Sequence, residues 1–230
     1  MRPCASATWV SGGKGPAMLE IRDLRAWYGQ AQALFGVSLT VGLGELVVLQ
    51  GLNGAGKSTL LQAIVGIGPR VEGVVRYQSE SMLELPSHQR ALRGLGYVPE
   101  DRRLFTALTV RENLLIAARR GSASALAQRQ EQVLQLFPAL KGMLGRSAAH
   151  MSGGEQQMLA IARTLMAGPS LLLLDEPCEG ISPVLVESIR DALLSLKAQG
   201  IAMLVAEQNG VLTARADRVI TLTAQTPLDA

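Results

Sequence analysis

From Leu19 onward, apolar positions fall into short segments broken by glycine, proline and charge. Leu19, Ile21 and Leu24 mark a strand, and residues 33–41 predict a second that ends at the turn-like Gly42-Leu43-Gly44. Residues 45–50 (ELVVLQ) are a short apolar run next to glycine, the pattern of a buried parallel strand. The period then changes. Over residues 57–66, Leu60, Leu61, Ile64 and Val65 share one helical face, so strand, glycine loop and helix follow in order.

The middle of the chain reads as helix. Thr109 and Glu112 have capping-box spacing, with Leu114, Leu115 and Ala118 following at helical intervals. Residues 123–137 form a second helical segment stopped by Pro138, and Ser152 with Glu155 opens a third that runs to Ala167. Alternation then resumes with a strand at 170–174, a helix at 183–198 with proline in its first turn, and a strand at 201–206. A last strand at 218–222 closes the sheet. The pattern predicts an α/β core with an inserted helical subdomain over about residues 100–165.

Composition narrows this reading. At 230 residues and 48% apolar content, one well-filled domain is expected and wholesale disorder is excluded. A net charge of +3 and 3% aromatic residues leave little for phosphate tracking or base stacking, so no nucleic-acid partner is expected. The richest apolar stretch, 158–174, is broken by Arg163, Gly168 and Pro169, which is too interrupted for a membrane span. Cys4 and Cys178 cannot make a disulfide framework, and a reducing compartment fits them best. Residues 1–17 lack both a secondary-structure period and a secretory apolar region, and are expected to be a loose tail, as are 224–230.

Candidate chemistry starts at Gly51-Leu-Asn-Gly-Ala-Gly-Lys57-Ser58, which fits the phosphate-binding loop Gly-x4-Gly-Lys-Ser/Thr. Its strand–loop–helix setting would turn the N–H groups of Asn53, Gly54, Ala55, Gly56 and Thr59 toward phosphate, with the positive end of the helix dipole behind them. Lys57 can reach the β- and γ-phosphates of a nucleotide, and Ser58 can offer its hydroxyl to Mg²⁺. Chance produces this pattern on the order of once in 200 chains of this composition. The complementary piece is Asp175-Glu176, delivered by a strand of four leucines to its carboxyl end. There Asp175 can hold Mg²⁺ through water, and Glu176 can deprotonate an attacking water. His88 and His150 lack metal-ligand spacing and read as surface residues; Cys178 reads as a buried filler.

A third segment, Met151-Ser152-Gly153-Gly154-Glu155-Gln156-Gln157, is a second capped helix start suited to phosphate. It resembles the Leu-Ser-Gly-Gly-x-Gln signature of ABC-transporter ATPases, and the resemblance runs in order from Met18 to Leu222. It implies a P-loop NTPase of ABC type with a mixed sheet core, spanning residues 18–223. Ser152, Gly153, Gly154 and Gln156 would close over a nucleotide held by another subunit. Tyr28 would stack on adenine, with Trp27 as the neighbouring alternative.

Two segments depart from the commoner family pattern. Glu100, in Tyr97-Val98-Pro99-Glu100-Asp101-Arg102-Arg103, stands where most members carry the glutamine of the γ-phosphate loop. Gln208, in Glu207-Gln208-Asn209, stands where most carry the switch histidine, and it cannot take a positive charge. Both variants resemble the second ATPase of branched-chain amino-acid importers, as does Asp175-Glu-Pro-Cys-Glu-Gly-Ile-Ser-Pro183, although Ser182 replaces the usual aspartate. Relatives serving urea or short amides share the last segment. The resemblance implies two transmembrane permease subunits, a second ATPase or another copy of this chain, and indirectly an extracytoplasmic solute-binding protein. It also implies a peripheral position on the cytoplasmic face of the inner membrane. A non-transport ABC ATPase acting on ribosomes or DNA is the rival. The arginines at 102, 103, 119 and 120 read as a solvated face.

Overall fold

The computed structural model describes residues 17–118, 122–208 and 210–223. The expectations for residues 1–16 and 224–230, and those for Arg119, Arg120 and Asn209, lie outside the described residues.

Strands of both senses are present, but they separate into two sheets. The first is antiparallel: β1 (Ala17–Tyr28), β2 (Ala31–Gly42), β4 (Arg70–Tyr77) and the two-residue β5 (Glu80–Ser81), ordered β2-β1-β4-β5. β1 starts one residue inside the expected tail because Ala17 pairs with Gly42. The second is parallel: β3 (Leu46–Gln50), β6 (Leu95–Val98), β7 (Leu171–Asp175), β8 (Ala202–Glu207) and β9 (Arg218–Thr221), ordered β6-β7-β8-β3-β9.

The parallel sheet is covered on both faces, which explains its unbroken apolar runs. Leu46, Val48, Leu172, Leu174, Met203 and Val205 share one core with the helical middle of the chain. Alternate residues Val47, Leu49, Leu171, Leu173, Leu204 and Ala206 face the other way, into a second core. That second core is filled by α1 (Lys57–Val65) and the inner face of the antiparallel sheet.

The helical middle comprises α3 (Val110–Ile116), α4 (Ala123–Leu136) and α5 (Gly153–Met166), while α6 (Pro183–Ala198) crosses from β7 to β8. Both expected capping boxes form. Thr109 Oγ1 accepts from the Glu112 N–H while Glu112 takes the Thr109 N–H, and Ser152 and Glu155 repeat the exchange at α5. A short helix absent from the sequence pattern, α2 (Ser87–Leu92), carries the buried Arg90. Its guanidinium donates to the carbonyls of Ala63 and Ile64 at 2.9 and 2.8 Å, capping the last turn of α1, and to Leu83 and Leu85.

Register brings the chemistry to one edge. In the parallel ladder Gln50 lies opposite Glu207, Asp175 opposite Ala206, and Val98 opposite Leu174. The carboxyl ends of β3, β6, β7 and β8 therefore open on the same side, where ligands of parallel sheets bind.

Candidate active site

The loop after β3 wraps a cleft of about 770 Å³. Gly56 starts α1 at φ 96°, and a Cβ there would sit 2.7 Å from Leu34 Cδ2 and 3.3 Å from the Ala33 carbonyl. Only glycine meets both demands. Asn53, Gly54, Ala55, Gly56, Lys57, Ser58 and Thr59 all line the cleft, and so do Glu100 and Glu176.

Lys57 is buried to 5% exposure and fully engaged. Its Nζ donates to the Gly51 and Leu52 carbonyls at 2.7 and 3.3 Å and lies 3.0 Å from Glu176 Oε1. Glu176 is held from the other side, because its Oε2 accepts the Gln208 N–H at 3.0 Å and its own N–H bonds the Ala206 carbonyl. It also stands at φ 45°, a left-handed conformation unusual for a side chain of this size and typical of functional positions.

Asp175 sits behind the pair. Ser58 Oγ donates to its Oδ1 at 3.0 Å, and the Tyr97 hydroxyl to Oδ2 at 3.3 Å. Burial pushes this carboxyl up to about 6; the Ser58 hydroxyl opposes the shift and the charges of Glu100 and Glu176 add to it. Burial and the Asp175 charge in turn push the Tyr97 phenol upward. Glu207, which ends β8, is buried to 2% exposure and accepts the Leu212 N–H, with burial raising its carboxyl above the ordinary range. Cys178 packs beside these acids. Burial, then Glu207 and Glu176, raise its thiol to about 12, as suits an inert filler.

Other expected site residues lie elsewhere. Tyr28 is outside the cleft lining; its hydroxyl donates to Gln62 Oε1 on α1 at 2.8 Å. Its neighbour Trp27 is covered by the Arg70 guanidinium, 4.5 Å from the ring centroid. Ser152, Gly153, Gly154 and Gln156 occupy the start of α5, also outside this cleft. Arg102 is no solvated arginine: it is half-buried, with Nε donating to Gln157 Oε1 at 3.1 Å. No sequence signal pointed to that bond, to Arg90 or to the Lys57–Glu176 pair.

The donor set suits Mg²⁺. A serine hydroxyl and a carboxylate face each other at 3.0 Å, both hard oxygen donors. Among the described cleft-lining residues, Lys57 is the only cation against Glu100, Glu176 and Glu179. A polyphosphate entering here needs further positive charge. With two protein oxygens on offer, such an ion would take its other ligands from phosphate and water.

Similarity to known proteins agrees with this geometry. Residues 34–179 match the ABC transporter family. The chain is 43% identical over 192 residues to the high-affinity branched-chain amino acid transport ATP-binding protein BraG of Pseudomonas aeruginosa, covering 84% of this chain and 82% of that protein. It is 35% identical over 198 residues to the lipopolysaccharide export system ATP-binding protein LptB of Escherichia coli, covering 84% and 81%. Among solved structures it resembles a dimeric post-hydrolysis state of the ATP-binding cassette MJ0796 bound to ADP and Pi, at a TM-score of 0.78 and 27% identity, covering 91% and 97%. A phosphate loop, an acidic pair and a signature helix, set on this fold beside such relatives, place the chain in the ABC transporter family, as one of its ATPase subunits.

Proposed function

We propose that this ATPase powers uptake of branched-chain or other hydrophobic amino acids through two permease subunits, from a peripheral position on the cytoplasmic face of the membrane. The observation that carries the cargo class is the 43% identity to BraG. Glu100 and Gln208, both departures from the commoner family residues, agree with that subfamily.

This reading gives each candidate site residue a role. When phosphate enters, the Lys57 ammonium exchanges two carbonyls and Glu176 for phosphate oxygens. Glu176 Oε1 is then free to take a proton from the attacking water, while Oε2 stays fixed by the Gln208 N–H. Water adds to the γ-phosphorus, the bond to the bridging oxygen breaks, and ADP and phosphate leave. Ser58 and Asp175 would hold Mg²⁺, which supplies charge to the phosphates. Glu100 and the Gln208 side chain would orient the γ-phosphate, Tyr28 would swing from Gln62 to the base, and Ser152, Gly153, Gly154 and Gln156 would cap the nucleotide of a partner ATPase.

The similarity to LptB supports a second reading, the same motor serving export. Trapping the Glu176→Gln chain with ATP in native membranes and sequencing what it retains separates the two. Co-recovery of two permeases and a second ATPase, with a leucine-binding partner protein, supports amino-acid import. Co-recovery of lipid-export components overturns it.

A further inference from the structure

Asp175, at the end of β7, is held through both carboxylate oxygens. Ser58 Oγ donates to Oδ1 at 3.0 Å, and the Tyr97 hydroxyl donates to Oδ2 at 3.3 Å. The first contact joins the two hard oxygen donors offered to a cation. The second comes from a residue to which the site chemistry so far gives no role. Tyr97 is itself firmly seated: it pairs with Leu173 in the parallel ladder, and it packs against the core that α1 helps to fill.

The Tyr97 hydroxyl is engaged a second time. Gln62 stands one turn beyond Ser58 on α1, so the two side chains share a helix face. Gln62 Oε1 accepts the Tyr28 hydroxyl at 2.8 Å, and the same side chain hydrogen-bonds the Tyr97 hydroxyl. With Oε1 turned to Tyr28, the amide N–H is the group left for Tyr97. The proton directions then agree along the chain, because Tyr28 donates to Gln62, Gln62 to Tyr97, and Tyr97 to Asp175. Donation in one sense polarises such a chain and strengthens its last bond. Asp175 is buried, so without Tyr97 its Oδ2 would lose a donor that water replaces poorly.

We propose that Tyr97, oriented by Gln62, is a positioning residue for a divalent cation: its hydroxyl holds Asp175 Oδ2 so that Oδ1 faces the ion beside Ser58. The inference rests on Ser58 and Asp175 holding Mg²⁺. Tyr97 acts through the carboxylate and does not itself touch the ion. Groups that orient a metal ligand in this way contribute about 10- to 100-fold to metal affinity.

Mn²⁺, an oxygen-seeking ion visible by electron paramagnetic resonance, is the probe. It is titrated into the full chain holding a non-hydrolysable ATP analogue, with protein in excess so that no free analogue competes for metal. Tyr97→Phe keeps the ring and removes only the hydroxyl; its Mn²⁺ affinity is expected to fall at least about 10-fold. Gln62→Leu, acting one bond further away, is expected to lose about 3-fold. In EDTA, both variants are expected to bind the analogue within about twofold of the parent. A general loosening of the cleft would not separate the two affinities.

Parent-like Mn²⁺ affinity in Tyr97→Phe overturns the proposal. So does an equal fall in analogue affinity without metal, since the hydroxyl would then merely support the fold. If Tyr97→Phe lacks a cooperative thermal transition, Gln62→Leu decides: weaker Mn²⁺ binding at parent-like analogue affinity sustains the proposal, and parent-like Mn²⁺ binding overturns it. Asp175→Asn tests the underlying reading separately and is expected to lose Mn²⁺ affinity at least as strongly as Tyr97→Phe. Unchanged affinity there shows that the carboxylate is no metal ligand, and the proposal then falls with that reading rather than at the tyrosine.

Discussion

Replacing Glu176 with glutamine should have opposite effects on the empty and the filled chain. Lys57 Nζ lies 3.0 Å from Glu176 Oε1, with both side chains at 7% exposure or less. At an effective dielectric of about 20 the gross attraction is about 5 kcal/mol, much of it offset by taking both charges from water. The amide keeps an acceptor oxygen but removes the opposing charge, so the net loss is about 2 kcal/mol, the scale of a hydrogen bond to a charged group. For a domain of this size that lowers the melting temperature by roughly 4–8 °C. In the filled chain Lys57 has moved to phosphate, and the loss no longer applies. ATP should therefore bind Glu176→Gln about 10- to 30-fold more tightly than the parent, while turnover is nearly abolished. Thermal melts without nucleotide and calorimetric titration with Mg·ATP measure both halves. A variant as stable as the parent when empty, with unchanged ATP affinity, would refute the idea that the lysine–glutamate pair competes with nucleotide.

Further consequences are equally specific. Arg90→Met removes the guanidinium donor from four carbonyls, of which Ala63 keeps the Gly66 N–H, and should cost about 3 kcal/mol, seen as a lower melting temperature with unchanged nucleotide affinity per folded molecule. Gly154→Ala drives a methyl group into the Leu185 side chain on α6 and should cost about 1–3 kcal/mol, with ATPase activity falling as α5 is displaced. Glu207 has a carboxyl raised above 4.5 by burial, so its stabilising contribution is complete below that value and is lost as pH rises through the folded one. Glu207→Gln, which can still accept the Leu212 N–H, should match the parent near pH 4 and exceed it in stability at neutral pH in urea melts.

Much of the site was legible because it is written locally. The phosphate loop, the acidic pair and the capped start of α5 each occupy a few consecutive residues whose spacing dictates their geometry. The α6 helix likewise announced both of its ends, with Pro183 in the first turn. What the sequence hid depends on distance. β4 is largely exposed and broken by Gly73, burying only Val75 and Tyr77, so it showed no apolar run. β6 has four residues, two of them Leu95 and Val98 in separate cores, and is recognisable only beside β7. The separation into two sheets follows from pairings such as Leu19 with Tyr77, far apart in the chain. Arg90 bonds carbonyls in α1, 27 and 26 residues earlier and across β4 and β5, and backbone acceptors leave no mark on side-chain pattern. Arg102 reads as a surface arginine in sequence because its partners Gln157 and Gln156 lie 55 and 54 residues away, on α5.

Equilibrium binding of Mg·ATP to the full chain and to Lys57→Ala is the most direct test of the assignment of this cleft. The account predicts saturable binding at one site per chain, weakened at least about 100-fold in the variant, as expected when a buried charge contact to phosphate is lost. Equal binding by both proteins, or none by the parent, would contradict it.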